Sequence, residues 1–143
     1  MESISFNSRL VIVDDFGFDA RASSVLTDVD FLTLLPAYSL SELTSALRIS
    51  QDLVGNGCKE FCCVGPYADK LHEEIDFMLE DQDRLDVVTT SFESEKEACE
   101  YFIFGADAGE ANVLLGLVTE HSVLEKELRK AVLLSTLSVP NQS

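Results

Sequence analysis

The chain has 143 residues, of which 46% are hydrophobic, and its 26 Asp and Glu against 10 Lys and Arg give a formal net charge of −16. This length and apolar content predict one domain with a hydrophobic core and speak against global disorder. The charge speaks against nucleic acid and anionic membranes as partners and favours capture of basic proteins. It is concentrated over residues 69–100, where twelve acidic residues stand against three basic ones.

Short apolar runs alternate with amphipathic segments along the chain, a pattern typical of parallel β-α units. Most of the runs are rich in residues that suit strands buried on both faces. A weaker helical segment over 19–26 follows the first run. The predicted strands cover residues 10–13, 31–35, 61–64, 85–89 and 113–119.

Three capping boxes of the form S-x-x-E mark the starts of predicted helices. A further helix follows the third strand, and its apolar residues recur at helical spacing, which predicts one buried face. The capping boxes are Ser39 with Glu42, Ser94 with Glu97, and Ser122 with Glu125, and the apolar stripe of the further helix is Leu71, Ile75, Met78 and Leu79.

Five β-α units with right-handed crossovers place helices on both faces of a sheet. We therefore predict a three-layer α/β/α sandwich with a mainly parallel five-stranded sheet in the flavodoxin-like order 2-1-3-4-5. Residues 1–143 are predicted to form a single α/β domain, with a flexible polar tail over 138–143. The beginning of the chain lacks the features of a signal peptide, which predicts a cytoplasmic protein.

The four cysteines contain no C-x-x-C spacing and are predicted to be buried thiols. Cys62 and Cys63 are neighbours in a strand, so their side chains are expected on opposite faces of the sheet. A zinc site that uses Cys62 or Cys63 with His72 is the alternative, but ligands at finger-like spacing are missing. We predict no metal and no cofactor.

The sequence Val-Ile-Val-Asp-Asp-Phe at 11–16 resembles the receiver domains of response regulators, whose first strand also ends in an acidic pair. Asp14 and Asp15 could hold Mg²⁺ at the carboxyl end of that strand, and Thr89 or Thr90 falls where the family keeps a Ser or Thr. The third strand offers no Asp to accept a phosphoryl group, and the fifth has no Lys. The resemblance implies a degenerate receiver-like regulatory module that binds a protein partner. A plain acidic strand end and a metal-dependent enzyme built on Asp14 and Asp15 are the other interpretations.

His72 and Asp76 are four residues apart, so they lie on one face of a helix. Such a pair could be a general base and the group that orients it, or a structural contact at the surface. The sequence holds no G-x-S-x-G, Walker A or G-x-G-x-x-G motif. We therefore predict no catalytic residue and no enzyme.

In size, acidity and absence of catalytic motifs, the chain resembles bacterial immunity proteins, the inhibitors of polymorphic and contact-dependent growth-inhibition toxins. The resemblance implies a basic protein domain as partner, with the active site of a toxin, often a basic nuclease, covered by an acidic surface. A solvated helix face is the other interpretation of the same acidic run. The candidate partner-binding residues are Glu73, Glu74, Asp76, Glu80, Asp81 and Asp83.

Overall fold

The structure is a computed structural model that describes residues 1–106 and 111–137. Within these residues, six strands form one sheet, and four α-helices pack against it. The strands are β1 (Glu2–Phe6), β2 (Arg9–Asp14), β3 (Phe31–Pro36), β4 (Cys58–Val64), β5 (Val88–Phe92) and β6 (Val113–Leu117). The helices are α1 (Leu40–Gly55), α2 (Ala68–Asp81), α3 (Glu95–Glu100) and α4 (Ser122–Leu137).

The strand order in the sheet is β1-β2-β6-β3-β4-β5, with β1 antiparallel to β2 and every other neighbouring pair parallel. The predicted α/β class with a mainly parallel sheet is confirmed. The prediction of five strands is wrong, because the sheet of the described residues has six. The prediction of a flavodoxin-like order is also wrong, because β6 lies between β2 and β3. β6 suits an interior position because Leu114 packs on one face and Leu115 on the other, whereas Thr90 and Ser91 make β5 a polar edge strand.

β1, which was not predicted from the sequence, forms an antiparallel hairpin with β2. Asn7 and Ser8 connect the two strands with φ angles of 49° and 65°, and a two-residue hairpin turn of type I′ needs positive φ at both positions. β1 is mostly exposed, with Phe6 as its one buried residue. Its sequence therefore lacks the apolar run that identifies the buried strands.

The fourth predicted strand is displaced by three residues, because β5 begins at Val88 rather than at Leu85. Leu85 is 80% exposed, and it follows a turn in which Asp83 adopts a φ of 56°. The helix predicted over 19–26 consists instead of two short 3-10 turns, Ala20–Ala22 and Ser24–Leu26.

Two of the three predicted capping serines accept the expected hydrogen bonds. Ser39 Oγ accepts from the backbone N–H of Glu42, and Ser94 Oγ accepts from that of Glu97, each at 3.2 Å. The third prediction is wrong because α4 already includes Ser122. α3 passes directly into one π-helical turn, Tyr101–Gly105.

The core is divided into two clusters, because successive residues of a buried strand point to opposite faces of the sheet. Inner residues of α1 and α2 pack with Phe61 and Cys63 on one face, and those of α3 and α4 pack with Cys62 and Val64 on the other. The predicted opposite orientation of Cys62 and Cys63 is thus confirmed. All four cysteines are buried, and burial raises the pKa of the Cys58 thiol to about 12.

None of the helices described in residues 1–106 and 111–137 is long and apolar enough to cross a membrane. The single domain and the cytoplasmic location stay predictions. The predicted flexible tail, 138–143, lies outside the described residues.

Candidate functional site

The outward face of α2 carries most of the predicted partner-binding residues. The inner stripe of the helix, Leu71, Ile75 and Leu79, is buried against the sheet and fixes which side chains face solvent. Met78, the remaining member of the predicted stripe, is partly buried and packs against the same core cluster. Six acidic residues lie on the other sides of the helix together with Lys70, His72 and Phe77. A field of one sign therefore covers this side of the molecule.

Phe77 stands in the middle of this acidic face and is 75% exposed. Residues three and four positions away are its neighbours on the helix surface, and all four of them are acidic. These neighbours are Glu73, Glu74, Glu80 and Asp81, which we call the acidic ring. Phe77 was not among the contact residues predicted from the sequence. Its spacing from the ring and its place outside the apolar stripe were the signals that could have identified it.

The six predicted contact residues do not share one environment. Glu73, Glu80, Asp81 and Asp83 are exposed, and Asp83 lies just beyond the end of α2. The partly exposed Glu74 forms an ion pair with Lys70 at 3.1 Å. Asp76 differs from the others, since its carboxylate is engaged with β5.

His72, Asp76 and Thr89 form a polar cluster that joins α2 to β5. Thr89 Oγ1 lies 2.5 Å from Asp76 Oδ1 and 2.7 Å from His72 Nδ1, and His72 Nε2 lies 3.4 Å from Asp76 Oδ2. The predicted proximity of His72 and Asp76 is confirmed. The Thr89 hydroxyl donates its one proton to Asp76, so His72 Nδ1 is assigned as the donor to Thr89 Oγ1. This arrangement fastens the helix to the edge strand.

Two further polar groups hold the same edge of the sheet in place. Ser91 Oγ donates to Asp69 Oδ1 at 2.6 Å, which adds a second link between β5 and α2. Arg84 and Lys59 both donate to Asp86, with distances of 2.8–3.1 Å, and their hydrogen bonds hold the pKa of Asp86 well below its ordinary value. These hydrogen bonds fix the position of α2, which carries the acidic face, relative to β5 and the segment before it.

A second candidate site lies at the carboxyl ends of β3 and β6. β3 continues into α1 on one face of the sheet, whereas the neighbouring β6 continues into α4 on the other face. The crevice between two such strands is the topological switch point, where open α/β sheets bind ligands. Tyr38 follows β3 and His121 precedes α4, and their rings stack there with centroids 4.2 Å apart.

Glu42 connects the two sides of this crevice. Its Oε1 accepts from the backbone N–H of Tyr38 at 2.8 Å, and its Oε2 lies 2.6 Å from His121 Nε2. Tyr38 Oη donates to Glu95 Oε2 at 2.8 Å, and burial together with Glu95 raises the pKa of Tyr38 above its ordinary value. A shallow cavity of about 320 Å³ adjoins these groups. The carboxylates of Glu42 and Glu95 are already hydrogen-bonded to Tyr38 and His121.

Asp14 and Asp15 lie at the carboxyl end of β2, as predicted. Asp14 Oδ1 accepts from the backbone N–H of Asp15, and Asp15 Oδ1 accepts from that of Gly17. Thr89 and Thr90 are on β5, and three strands separate β5 from β2, so the structure does not bring them near the acidic pair. Among the described residues, no three His, Cys, Asp or Glu side chains are grouped so that they could hold a metal ion.

Replacing Glu42 with Ala is expected to lower the free energy of unfolding by about 1–3 kcal/mol, because two donors lose a nearly buried carboxylate. Glu42→Gln keeps one acceptor oxygen and is expected to lose less. Urea unfolding measures both, with Glu73→Ala on the exposed face of α2 as a control that leaves stability unchanged. Equal stability of Glu42→Ala and the wild type would show that the Tyr38–His121 crevice is not held by Glu42.

The chain belongs to a family described as a domain of unknown function (DUF7684), whose model matches residues 24–134. The matched segment includes α2, β5 and both sides of the Tyr38–His121 crevice, and it leaves out the β1–β2 hairpin. No curated protein and no solved structure matches the chain.

Proposed function

We propose that this chain is an acidic cytoplasmic binding protein, without catalysis of its own, that neutralises a toxin as an immunity protein. The observation that carries the proposal is Phe77, an aromatic side chain exposed at the centre of a ring of four acidic residues. An exposed aromatic group surrounded by polar residues has the composition of an interaction hot spot and its rim. The two core clusters support the three-layer α/β/α arrangement that we propose for the fold.

The partner that this surface fits is a basic protein domain with an apolar pocket bordered by Lys or Arg. Phe77 would fill the pocket, and the acidic ring would lie against the cations around it. Opposite charges on the two proteins speed their encounter and disfavour partners of the wrong sign. Nucleic acid and anionic membranes are disfavoured for the same reason.

A nuclease toxin is the kind of partner that combines these properties, since its substrate-binding surface is positively charged. Carboxylates on α2 would occupy the positions that substrate phosphates take, and the bound protein would cover the active site. The polar cluster of His72, Asp76 and Thr89 joins α2 to β5, which supports a binding role for this region rather than a reaction centre.

The receiver-like alternative has less support. Receiver domains have the flavodoxin-like strand order, and this sheet has a different one. The position of β6 between β2 and β3 also changes which loops surround Asp14 and Asp15.

Neutralising five acids of the α2 region is expected to weaken binding of the basic partner on the order of 100-fold and to reduce its salt dependence. Asp76 is left intact because its carboxylate binds Thr89. The partner is captured from a lysate of the native host on the immobilised wild-type protein, identified and purified, and its affinity is measured at several salt concentrations. The substitutions are Glu73→Gln, Glu74→Gln, Glu80→Gln, Asp81→Asn and Asp83→Asn.

The matched control removes the same number of charges from exposed acids elsewhere and is expected to retain most of the affinity. An equal loss in both variants would show that only the overall negative charge matters, and that the α2 face is not the binding site. The control substitutions are Asp28→Asn, Asp30→Asn, Asp52→Asn, Glu97→Gln and Glu120→Gln.

A further inference from the structure

β5 is an edge strand, and no strand of the described residues pairs with its outer side. The sheet order ends at β5, and β4 is its only strand partner within residues 1–106 and 111–137. Natural proteins protect such edges with charged side chains, Pro, bulges or a covering segment. The sequence of β5, Val-Thr-Thr-Ser-Phe, contains no charge and no Pro.

The backbone groups that face outward from this edge can be identified from the pairing with β4. The carbonyl of Phe92 accepts from the N–H of Gly65, so the peptide groups of Phe92 face β4. Because this orientation alternates along a strand, those of Val88 and Thr90 also face β4, and those of Thr89 and Ser91 face outward. In the described part of the chain, no partner is seen for these outward N–H and carbonyl groups.

The two faces of the edge differ in chemistry. On the α2 side, the carboxylates of Asp76 and Asp69 lie directly against the side chains of Thr89 and Ser91. On the opposite side, Val88 is 44% exposed, Thr90 is partly buried, and Phe92 is partly buried beside Tyr101. A strand added here would therefore meet acids on one face, and two apolar side chains with a threonine between them on the other.

We infer that β5 accepts an extended basic segment of the partner as a seventh strand, in which Lys or Arg alternates with apolar residues. Side chains on added strands alternate between faces, so the cations would meet Asp69 and Asp76 while the apolar residues cover Val88 and Phe92. A second copy of this chain is disfavoured, because it would bring acidic surfaces together. This inference rests on the proposed function, since it names how the basic partner is recognised.

The test uses a capped nine-residue peptide in which Lys and Val alternate, added to the full-length protein. Hydrogen exchange of single amides is followed by NMR, and the amides of Thr89 and Ser91 are expected to exchange at least about tenfold more slowly when the peptide is bound. The amide of Thr90 serves as an internal control, because it already faces β4. A peptide of the same composition with all Lys preceding all Val is expected to give no such protection.

A substitution gives an independent measurement. Ser91→Pro removes one outward N–H without removing a bond to β4, because Pro is tolerated on the free side of an edge strand. Ser91→Ala loses the same hydroxyl and keeps the N–H. The affinity for the alternating peptide is expected to fall at least tenfold in Ser91→Pro and to change less than threefold in Ser91→Ala. If Ser91→Pro does not fold, the exchange measurement on the wild type decides.

Three outcomes would overturn the inference: no binding of the alternating peptide, no protection of Thr89 and Ser91, or equal protection by the block peptide. The failure of strand addition and the failure of the proposed function remain distinguishable. Loss of partner binding in the five-acid variant, without protection at β5, keeps the proposed function and refutes the strand addition. If the alternating peptide protects β5 but partner binding does not depend on the acids of α2, strand addition is kept and the proposed function is refuted.

Discussion

A Phe77→Ala variant is expected to fold with wild-type stability and to bind the basic partner about 30- to 1,000-fold more weakly, as truncation of a hot-spot aromatic does. The free energy of unfolding is expected to be unaffected, because Phe77 is 75% exposed and contributes little to the core. Affinity falls because the apolar pocket of the partner is left without its occupant, while the acidic ring still provides attraction at long range. The loss is therefore expected mainly in the dissociation rate.

Phe104→Ala is the matched control, since Phe104 is another exposed phenylalanine, at 54%, and lies in the π-helical turn after α3. Binding kinetics at one salt concentration compare the two variants with the wild type, and urea unfolding verifies that both are folded. A Phe77→Ala variant that binds as tightly as the wild type would leave the acidic face without an anchor and refute its role as a hot spot.

A Gly65→Ala variant is expected to lose about 2–4 kcal/mol of stability, because two costs act together at this position. Gly65 has a φ of +120°, which side-chain-bearing residues rarely adopt. A Cβ there would also lie 2.7 Å from the carbonyl oxygen of Ala37 and 3.1 Å from its carbonyl carbon. Both are backbone atoms, so relief requires movement of the segment that carries Tyr38.

Gly55→Ala is the control for this effect. Gly55 is the last residue of α1, and no heavy atom lies within 4 Å of a Cβ placed on it. The stability of the Gly55→Ala variant is expected to be unchanged or raised by about 0.5–1 kcal/mol, because Ala restricts the conformations of the unfolded chain. Urea unfolding measures both variants. Equal effects of the two substitutions would show that the close approach of Gly65 to Ala37 is not a constraint on the fold.

The buried strands could be predicted from the sequence because their apolar residues face both core clusters. β2, β3, β4 and β6 all contain such runs, and the predicted ranges overlap the observed ones. β1 and β5 are the edge strands of the sheet and bury fewer apolar side chains. Polar residues such as Ser3 and Thr90 interrupt their apolar pattern, so these strands are hard to recognise from the sequence. The fourth strand was predicted to begin at Leu85 because this residue is apolar. In the structure Leu85 follows the turn at Asp83 and is exposed to solvent.

The order of the strands could not be read from local patterns. The flavodoxin-like order places the last strand at the edge of the sheet beside its predecessor, but the chain after β5 returns across β4 and β3 to insert β6 between β3 and β2. That choice depends on how strongly each strand is buried, which is a property of the whole sheet. The Tyr38–His121 crevice results from it, since Glu42 and His121 are 79 residues apart in sequence.

The candidate site was predicted in part. The acidic run over 69–100 identified α2, because charge density is visible in the sequence. It could not separate Asp76, which binds Thr89, from Glu80, which faces solvent. Phe77 was overlooked because aromatic residues are usually buried. Its position outside the stripe of Leu71, Ile75 and Leu79, among acidic neighbours three and four residues away, was the sequence signal for the exposure that the structure shows.

The most direct test of the α2 surface is hydroxyl-radical footprinting of the protein alone and in its complex with the captured basic partner. Phe77 and Leu85 are strongly exposed and should react readily in the free protein. We expect the complex to protect Phe77 strongly while Leu40 at the start of α1 and Leu137 at the end of α4 remain reactive. Undiminished oxidation of Phe77 in a saturated complex, with protection at Leu40 or Leu137 instead, would contradict the proposal that the acidic face of α2 binds the partner.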